Sequence, residues 1–537
     1  MGEIKREIRH GINRRTLLGG AFLSAGLLTG PAIARRKRIE DAASEAFTHG
    51  IATGEPGQTR MLFWTRYAGT GGQPVRLRLE LSTRPDMSRS REMAEAIADP
   101  QRDWTARTIV EGLEPGTTYY YRFSGPDRSH SAVGRTRTLP RDIPQSFRIG
   151  LAAGASVAAG WFNGFAHAAD ADDVDLFLLA GNPGQLFPRI AQPVRAAPMQ
   201  PPATLEEYWA AWRVARADPD LLRLQAQVPL VPMWDPYDAA ASGWMGMQPA
   251  RGLPDVQAAL ARRAFQDWLP VADTSFMRFD IGRLASLYRL DTGARDMPLS
   301  LMAAMQSANP QAAMARLRDE QWVSGSRQML GHDQERWLFG AMQDSTRRGI
   351  RWQILAQQPM MGNLLPPPAG MLPGQATAES DRFLRTITAA GSARLPFCMA
   401  AWDGYPAARA RLLAMAQRTG GDLVVLSADT HNSWAHDLLN NGRPAGVGLG
   451  CPSISAPGLD ASLAAQPADM IAGALVGGNP GLRWADLRRR GYMHLTLTPA
   501  QVLAEWRFTA PVSARSEKLE TIMRARVQAL QRRLVMG

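Results

Sequence analysis

The sequence predicts an α/β protein in which an N-terminal β-sandwich precedes a layered α/β domain. Residues 47–139 consist of short runs that alternate apolar and polar residues, such as VRLRLEL at 75–81, and this alternation is typical of half-buried strands. Beyond residue 147, apolar strand-like runs alternate with amphipathic helices, which is the pattern of a layered α/β domain. The 537 residues also exceed the usual size of one hydrophobic core, so we expect at least two domains.

Residues 1–34 have the layout of a cleavable export signal. A basic start leads into NRRTLL at 13–18 and then into a mildly apolar stretch that ends in AIA at 32–34. The adjacent Arg14 and Arg15 are typical of the twin-arginine route, which moves folded proteins, often with a cofactor already in place. The apolar stretch is too short and too rich in glycine for a membrane span of about 20 residues, although an uncleaved anchor is the alternative. We therefore expect a periplasmic or secreted protein, exported by the twin-arginine translocase, whose mature chain has no transmembrane segment.

The composition is that of a globular protein, with 45% apolar and 20% charged residues. Residues 1–34 hold five basic and two acidic residues, which leaves 56 against 47, a net charge of +9, for the rest of the chain. Arginine supplies almost all of this charge, and we expect no nucleic-acid partner. A small phosphate-bearing or envelope ligand, or a membrane surface, remains open as a partner.

The two cysteines, Cys398 and Cys451, both lie in apolar stretches. Such settings favour buried thiols over a disulfide. An oxidising compartment would permit a bridge between them, so the pairing stays open. The sequence has no CxxC motif and no zinc-finger spacing.

Residues 47–139 look like a β-sandwich of the fibronectin type III or immunoglobulin type. The turn GLEPGT at 112–117 is followed by the tyrosine-rich run TYYYRF at 118–123. About 90 residues is also the right size for such a sandwich. Residues 140–144 then have the composition of a linker.

The α/β domain is expected over residues 146–510, with a helical tail over 511–537. The expected strands are 147–152, 175–180, 228–234, 284–290, 352–357, 397–402 and 423–427. The expected helices include 205–217 and 334–348, followed near the end by a strand pair, 492–497 and 502–508, and by a basic helix over 516–534. The proline-containing stretch 360–374 is expected to form a loop over a site.

Polar residues that bind ligands in α/β sheets lie just past the carboxyl ends of strands. Four residues occupy such positions: Asn182 after the second expected strand, Asp235 after the third, and Asp429 and His431 after the seventh. Oxygen and imidazole donors at successive strand ends are how dinuclear metal esterases hold their ions. We therefore treat these four residues as candidate metal ligands.

Ordered motifs run through about residues 47–510 of the chain. They are FTHGIATG at 47–54, LFWTR at 62–66, TLEEY at 204–208, RLDT at 289–292, QERWL at 334–338, WDGYP at 402–406, PSISAPG at 452–458 and RGY at 490–492. Together they resemble the PhoD-type alkaline phosphatases and phosphodiesterases, a branch of the calcineurin-like metallophosphoesterases. The resemblance implies a calcineurin-like α/β domain and hydrolysis of phosphate mono- or diesters by a metal-activated oxygen nucleophile.

The chain departs from that family at the metal-binding motifs. AGA at 153–155 stands where the family has SCQ, whose cysteine binds iron, and LAGNP at 179–183 stands where it has HLGDY, so Asn182 replaces a bridging aspartate. WDPYD at 234–238 keeps only the first acid of the family's WDDHE, ADTH at 428–431 nearly matches GDVH, and NPG at 479–481 lacks the histidine of NPH. Because carboxylate charge holds two close cations together, a family-type iron–calcium centre is not expected.

Three functions therefore stay open. One divalent ion (calcium, magnesium, manganese or zinc) on Asp429, His431 and either Asp235 or Asn182 would support phosphoester hydrolysis. Without a metal, the chain is a catalytically inactive relative that keeps the fold as a binding module. A serine hydrolase that uses Ser156 with Asp235 and His431 is the weakest alternative, because an alanine follows where a nucleophile elbow needs glycine.

Overall fold

The computed structural model describes residues 45–68, 71–181, 190, 192–198, 200, 202–234, 255–367, 378–396, 398–462 and 467–537. The predicted export signal over residues 1–34 lies outside the described residues, as do the candidate ligands Asn182 and Asp235.

Strands and helices alternate through most of the described chain. The strands are β1 (Ile51–Gly54), β2 (Arg60–Arg66), β3 (Val75–Ser82), β4 (Arg91–Ala98), β5 (Thr105–Glu111), β6 (Thr118–Ser124), β7 (Gly134–Arg137), β8 (Phe147–Ala152), β9 (Leu176–Ala180), β10 (Leu230–Met233), β11 (Met277–Ile281), β12 (Ala285–Arg289), β13 (Trp352–Ala356), β14 (Asp422–Ser427), β15 (Ser433–Asn440), β16 (Arg443–Gly450), β17 (Leu482–Asp486), β18 (Gly491–Leu497), β19 (Gln501–Thr509), β20 (Leu519–Gln528) and β21 (Val535–Met536). The helices are α1 (Asn163–Ala171), α2 (Leu205–Arg216), α3 (Pro219–Gln225), α4 (Asp255–Trp268), α5 (Leu301–Met305), α6 (Pro310–Arg316), α7 (His332–Arg347), α8 (Ala378–Ser392), α9 (Pro406–Thr419), α10 (Leu459–Ser462) and α11 (Ala468–Gly478). Among the described residues, no helix is both long enough and apolar enough to cross a membrane.

The strands that are described form three sheets. The largest has ten strands in the order β21-β20-β19-β18-β8-β9-β10-β1-β2-β5, the second has seven in the order β11-β12-β13-β14-β16-β15-β17, and the third has four in the order β4-β3-β6-β7. Strands β8, β9 and β10 run parallel to one another, as do β12, β13 and β14. Their carboxyl ends therefore lie along one edge of each sheet, where α/β proteins usually bind ligands.

The two large sheets pack face to face and carry helices on their outer faces. Leu151 and Trp506 of the ten-stranded sheet share one buried core with Ile354 and Val424 of the seven-stranded sheet. Helices α1, α2, α3 and α4 cover the outer face of the first sheet through a second core, and α7 and α9 cover that of the other. The domain therefore has four layers, with both sheets buried on two faces and strands that are mainly apolar.

The N-terminal strands form the predicted β-sandwich. Strands β1, β2 and β5 face β3, β4 and β6 across a core that includes Phe63, Leu79 and Phe123. The sandwich is also continuous with the α/β layers, since Gly54 of β1 pairs with Leu230 of β10. Strand β2 is consequently buried on both faces, with Phe63 in the sandwich core and Trp64 against the helices.

A buried ion pair links this N-terminal part to the second large sheet. Glu55 follows β1 directly, and its Oε1 accepts a hydrogen bond of 2.5 Å from Nη1 of Arg289 at the end of β12. Nη2 of Arg289 donates to the carbonyl of Thr274 at 2.7 Å. The side chains of Glu55 and Arg289 are 0% and 3% exposed, so each charge depends on the other for compensation.

Six of the seven strands predicted for the first part of the α/β domain are confirmed. The strand predicted at 147–152 has the bounds of β8, and the closing pair predicted near the C-terminus corresponds to β18 and β19. Strands β11, β15, β16 and β17 were not predicted. Polar residues such as His436 and Asp437 interrupt their apolar pattern, although both are buried in the folded chain.

The prediction of a C-terminal helix over 516–534 is wrong. Most of that segment is β20, which pairs antiparallel with β19 along its length. Ala525 and Val527 point into the core between the sheets, while Arg524 and Arg526 alternate with them on the exposed side. The period of two is the pattern of a strand, whereas the abundant arginine, leucine and glutamine residues favoured a helix by intrinsic propensity.

The strand predicted at 397–402 is also wrong. Residues Trp402–Gly404 form a turn of 3₁₀-helix. A Cβ atom at Gly404 would lie 2.0 Å from the carbonyl oxygen of Met399, so the chain folds back on itself too closely for an extended strand. Oδ2 of Asp403 accepts a hydrogen bond from the backbone of Leu364 at 2.6 Å, and burial raises the pKa of this carboxyl to about 6.

The two cysteines are buried free thiols, as the apolar setting of each predicts. Burial raises the pKa of both thiols, to about 12 for Cys398. Neither thiol is therefore a ready nucleophile at neutral pH.

Acidification is expected to destabilise the protein through buried His436. Burial, with a contribution from the charge of Arg409, lowers the pKa of His436 to about 3, while an unfolded histidine titrates near its ordinary value of about 6.5. At His436 the unfolded state therefore takes up one more proton between these values, and the contribution of this residue to the free energy of unfolding falls by about 1.4 kcal/mol per pH unit as the pH drops from 6 to 4. Urea denaturation at a series of pH values gives the free energy of unfolding at each pH, and this free energy should fall less per pH unit in His436→Gln than in the wild type. The matching change at the exposed His332, His332→Gln, should leave the slope as in the wild type; equal slopes for both variants would contradict the assignment.

Candidate functional site

Three loops meet at the carboxyl ends of β8, β14 and β16. Ala153, just after β8, forms a parallel bridge with Ser453, just after β16. The carbonyl of Gly154 accepts hydrogen bonds from the backbone of Ser455 at 3.2 Å and of Ala456 at 2.8 Å, and the carbonyl of His431 accepts one from Ser453 at 3.3 Å. Backbone hydrogen bonds thus hold the loops that contain AGA, ADTH and PSISAPG against one another.

His431 is held as a neutral ring by the third loop. Its Nδ1 lies 2.9 Å from the carbonyl oxygen of Pro457, which can only accept, so Nδ1 carries the proton and Nε2 presents a lone pair. Burial lowers the pKa of His431 to about 4, with a smaller contribution from the positive charge of Arg490. This arrangement of one ring nitrogen on a carbonyl is also how proteins orient histidine ligands of metals.

By the resemblance described above, Gly154 stands where the PhoD-type family has its iron-binding cysteine, and the ring of His431 takes up the space of a side chain at this position. A Cβ atom at position 154 would lie 2.7 Å from Cδ2 and 2.8 Å from Nε2 of His431, and 2.9 Å from Cβ of Ser453. The backbone of Gly154 also has a φ of +54°, a conformation that side-chain-bearing residues rarely adopt. Both observations leave no room for a thiolate beside His431.

Asp429 lies two residues before His431, and Gln358 anchors its backbone. The amides of Ala428 and Asp429 both donate to the carbonyl of Gln358, at 3.1 and 3.0 Å. Nε2 of Gln358 in turn donates to the carbonyl of Met233, the last residue of β10, at 3.2 Å. Gln358 therefore connects the Asp429 loop to the strand end that precedes Asp235.

The structure thus brings together two of the four predicted ligands, Asp429 and His431. Asn182 and Asp235 lie outside the described residues, although the strands that precede them, β9 and β10, end on the same edge as β8. In the described part of the chain, no three histidine, cysteine or acidic side chains come together as ligands of one ion. Glycine at 154 and asparagine at 182 do not fit a pair of ions, whereas the carboxylate of Asp429 and the Nε2 lone pair of His431 are donors of the kind that would hold a single ion.

Ser156 does not have the surroundings of a nucleophile. Its side chain is fully buried, and its Oγ accepts a hydrogen bond of 3.4 Å from the backbone of Ala159. Its backbone amide and carbonyl both bond to Oγ of Ser455, at 2.8 and 2.7 Å. Ser156 therefore stabilises the turn after β8, and the ring of His431 is directed at Gly154.

Two residues of the site were not predicted from the sequence, Gln358 and Arg490. Gln358 lies in an apolar stretch with no chemical motif, so nothing in the sequence points to it. Arg490 belongs to the RGY motif, and both oxygens of Asp460 accept hydrogen bonds from its Nη2, at 3.0 and 2.7 Å. The charge of Arg490 contributes to lowering the pKa of His431 and that of Asp460 opposes it, which places this Arg–Asp pair near the three loops.

Known proteins of one family match the chain along most of its length. The family described as PhoD-like phosphatase matches residues 149–506, and the N-terminal domain of PhoD-like phosphatase matches residues 32–140. Alkaline phosphatase D of Bacillus subtilis (strain 168) is 26% identical, over 92% of this chain and 84% of that protein. A solved structure of PhoD has the same fold, with a TM-score of 0.73, 24% identity and 92% of each chain covered. The chain therefore belongs to the PhoD-like phosphatase family.

Proposed function

We propose that this protein is an exported PhoD-like protein that binds phosphate esters at the loops after β8, β14 and β16 without the two-metal hydrolysis of its family. The observation that carries the proposal is the contact of His431 with Gly154, where an added Cβ would lie 2.8 Å from Nε2. A cysteine thiolate at position 154 would occupy the space that the ring of His431 now fills, so the two cannot be present together.

The charge of the site supports the same conclusion. Two divalent or trivalent cations a few ångströms apart repel strongly unless anionic ligands lie between them. Here the thiolate is replaced by Gly154 and the bridging carboxylate by the neutral Asn182. Arg490 acts on His431 through its charge and is the cation we expect a phosphate group to bind, in competition with its partner Asp460.

The test uses protein purified after export from its native host, without added metal. We expect little bound metal, no turnover of bis-p-nitrophenyl phosphate, and binding of p-nitrophenyl phosphate in calorimetry that persists in the presence of a chelator. Arg490→Met should weaken this binding, and Arg316→Met, at an exposed arginine of α6, should leave it unchanged. Turnover by a protein with two bound ions would contradict the proposal, as would the absence of any binding.

The second candidate is hydrolysis supported by a single divalent ion, and the neutral His431 with its Nε2 lone pair is the observation that favours it. Asp429 and His431 would hold the ion, which would supply Lewis-acid polarisation of a phosphoryl oxygen. This candidate requires one ion per chain and turnover, and both should disappear in His431→Gln while His332→Gln retains both. An ion without turnover, or turnover that survives His431→Gln, would rule it out.

The proposal that the protein is exported rests on residues 1–34, which have the layout of an export signal. Replacing the adjacent arginines, Arg14→Lys together with Arg15→Lys, should keep the protein in the cytoplasm, because the translocase recognises the arginine pair. Cell fractionation followed by immunoblotting measures the change. The control is Arg35→Lys together with Arg36→Lys, which lies after the expected cleavage site and should still be exported.

A further inference from the structure

Arg216, the last residue of α2, is a fully buried cation without a counter-charge. Its side chain is 0% exposed, and its guanidinium lies over the ring of Trp64 at 4.6 Å from the ring centroid. None of its three nitrogen atoms, Nε, Nη1 and Nη2, has a hydrogen-bond partner. Among the described residues no carboxylate forms an ion pair with it, in contrast to its neighbour Arg213, which pairs with Asp103 and Glu206.

A buried guanidinium without a counter-charge destabilises the folded state unless another group compensates its charge and its hydrogen-bond donors. A buried cation loses its hydration, and every unpaired N–H group adds a further penalty. Burial alone lowers the pKa of Arg216 to about 9, yet the guanidinium remains protonated at neutral pH. The cation–π contact with Trp64 compensates one face of the guanidinium and leaves the donors at its edge unused.

Other unpartnered polar atoms belong to the same buried cluster, which lies between β1, β2 and helices α2, α3 and α4. The cluster consists of His49, Trp64, Arg216, Gln225 and Trp268. Nε1 of Trp268 and Oε1 of Gln225 are buried without partners, while Nε2 of Gln225 donates to the carbonyl of His49 at 3.1 Å. The ring of His49 meets that of Trp268 edge-on at 4.9 Å. Burial and the charge of Arg66 lower the pKa of His49, and the charge of Arg216 adds to this effect.

The unused donors of the cluster outnumber its unused acceptors. Three guanidinium nitrogens and the indole Nε1 are donors, and Oε1 of Gln225 is an acceptor. Water can accept hydrogen bonds from these donors, but it carries no charge and so cannot neutralise the guanidinium. An anion can do both, and Oε1 of Gln225 suits a water molecule that hydrates it.

We propose that Arg216 and Trp268 form a buried site for a small monovalent inorganic anion of the size of chloride. The site lies beneath the junction of the N-terminal sandwich with the α/β layers, and it is distinct from the site proposed at the loops after β8, β14 and β16. Because Arg216 and Trp268 are both fully buried, a small inorganic anion suits the site better than a larger organic one. The anion neutralises Arg216 and fixes α2 against β2, and it is independent of phosphate-ester binding at the other site.

Two measurements on the full chain test the site. The first is a crystal grown or soaked in sodium bromide, in which we expect an anomalous peak within hydrogen-bond distance of the Arg216 guanidinium. The second compares the melting temperature in sodium chloride and in sodium gluconate at equal ionic strength. Chloride should raise the wild-type value by about 1–2 °C.

The matched variants are Arg216→Met and Arg316→Met. Each removes one arginine charge, but only the first arginine is buried, so the chloride effect should vanish in Arg216→Met and persist in Arg316→Met. If Arg216→Met does not fold, the bromide peak in the wild type decides the question. Water density without an anomalous signal at Arg216, or an equal chloride effect in both variants, would overturn the proposal.

Discussion

Glu55→Gln is expected to lower the free energy of unfolding by about 3–5 kcal/mol, the usual effect of leaving one partner of a buried ion pair without the other. The substitution keeps the shape of the side chain but leaves the charge of Arg289 buried, because only 3% of the arginine side chain is exposed. Differential scanning calorimetry should show the loss as a clear decrease in melting temperature.

The control for this prediction is Glu95→Gln, which breaks the pair of Glu95 with Arg76. Those side chains are 42% and 67% exposed, so the loss should stay below about 1 kcal/mol. Removing both buried charges, in Glu55→Leu combined with Arg289→Met, should recover most of the stability that Glu55→Gln loses, since paired charges can be exchanged for apolar residues at small cost. If Glu55→Gln and Glu95→Gln have the same effect, Glu55 is not a buried partner of Arg289.

Gly154→Ala is expected to destabilise the protein by about 2–4 kcal/mol, which combines backbone strain with overpacking. The strain arises from the φ of +54° at Gly154, and the overpacking from a methyl group 2.7 Å from the ring of His431. Gly349 separates the two causes. Its φ is +78° and nothing lies within 4 Å of an added Cβ, so Gly349→Ala should show the strain alone, about 1 kcal/mol.

The contact with His431 can be isolated by a double-mutant cycle. His431→Ala removes the ring, so the additional loss of unfolding free energy caused by Gly154→Ala should shrink by about 1 kcal/mol or more in the double variant. The same contact bears on metal binding: Gly154→Cys alone should not increase it, because the ring of His431 already fills the space of the cysteine side chain. Additive effects of the two substitutions would show that His431 and Gly154 do not interact.

The sequence predicted best the strands that are buried on both faces. Strand β8 is apolar except for Arg148 because it is buried between two layers, and its bounds follow directly from the run of residues 147–152. Strand β20 lies near the edge of the same sheet and exposes Arg524 and Arg526. Its helix-favouring composition concealed a period of two that its pairing with β19 imposes.

The sequence predicted where the candidate site lies in the fold but not how its side chains contact one another. The rule that ligands bind past strand ends led to Asp429 and His431, which the structure places in one loop. The contact between His431 and Gly154 could not be predicted, because it depends on the φ of Gly154 and on the carbonyl of Pro457, which fixes the ring from a third loop. No local sequence pattern records how loops from distant strands approach one another.

The place of β18 in the ten-stranded sheet has a consequence for biosynthesis. Strand β8, formed by residues 147–152, pairs on one side with β9 and on the other with β18, formed by residues 491–497. A nascent chain therefore lacks one neighbour of β8 until almost all of it has left the ribosome. Pairing between such distant segments is slow, and the incomplete sheet exposes an apolar edge in the meantime. Chains shortened before β18 cannot complete this sheet, and the export of folded chains proposed above would suit such a topology.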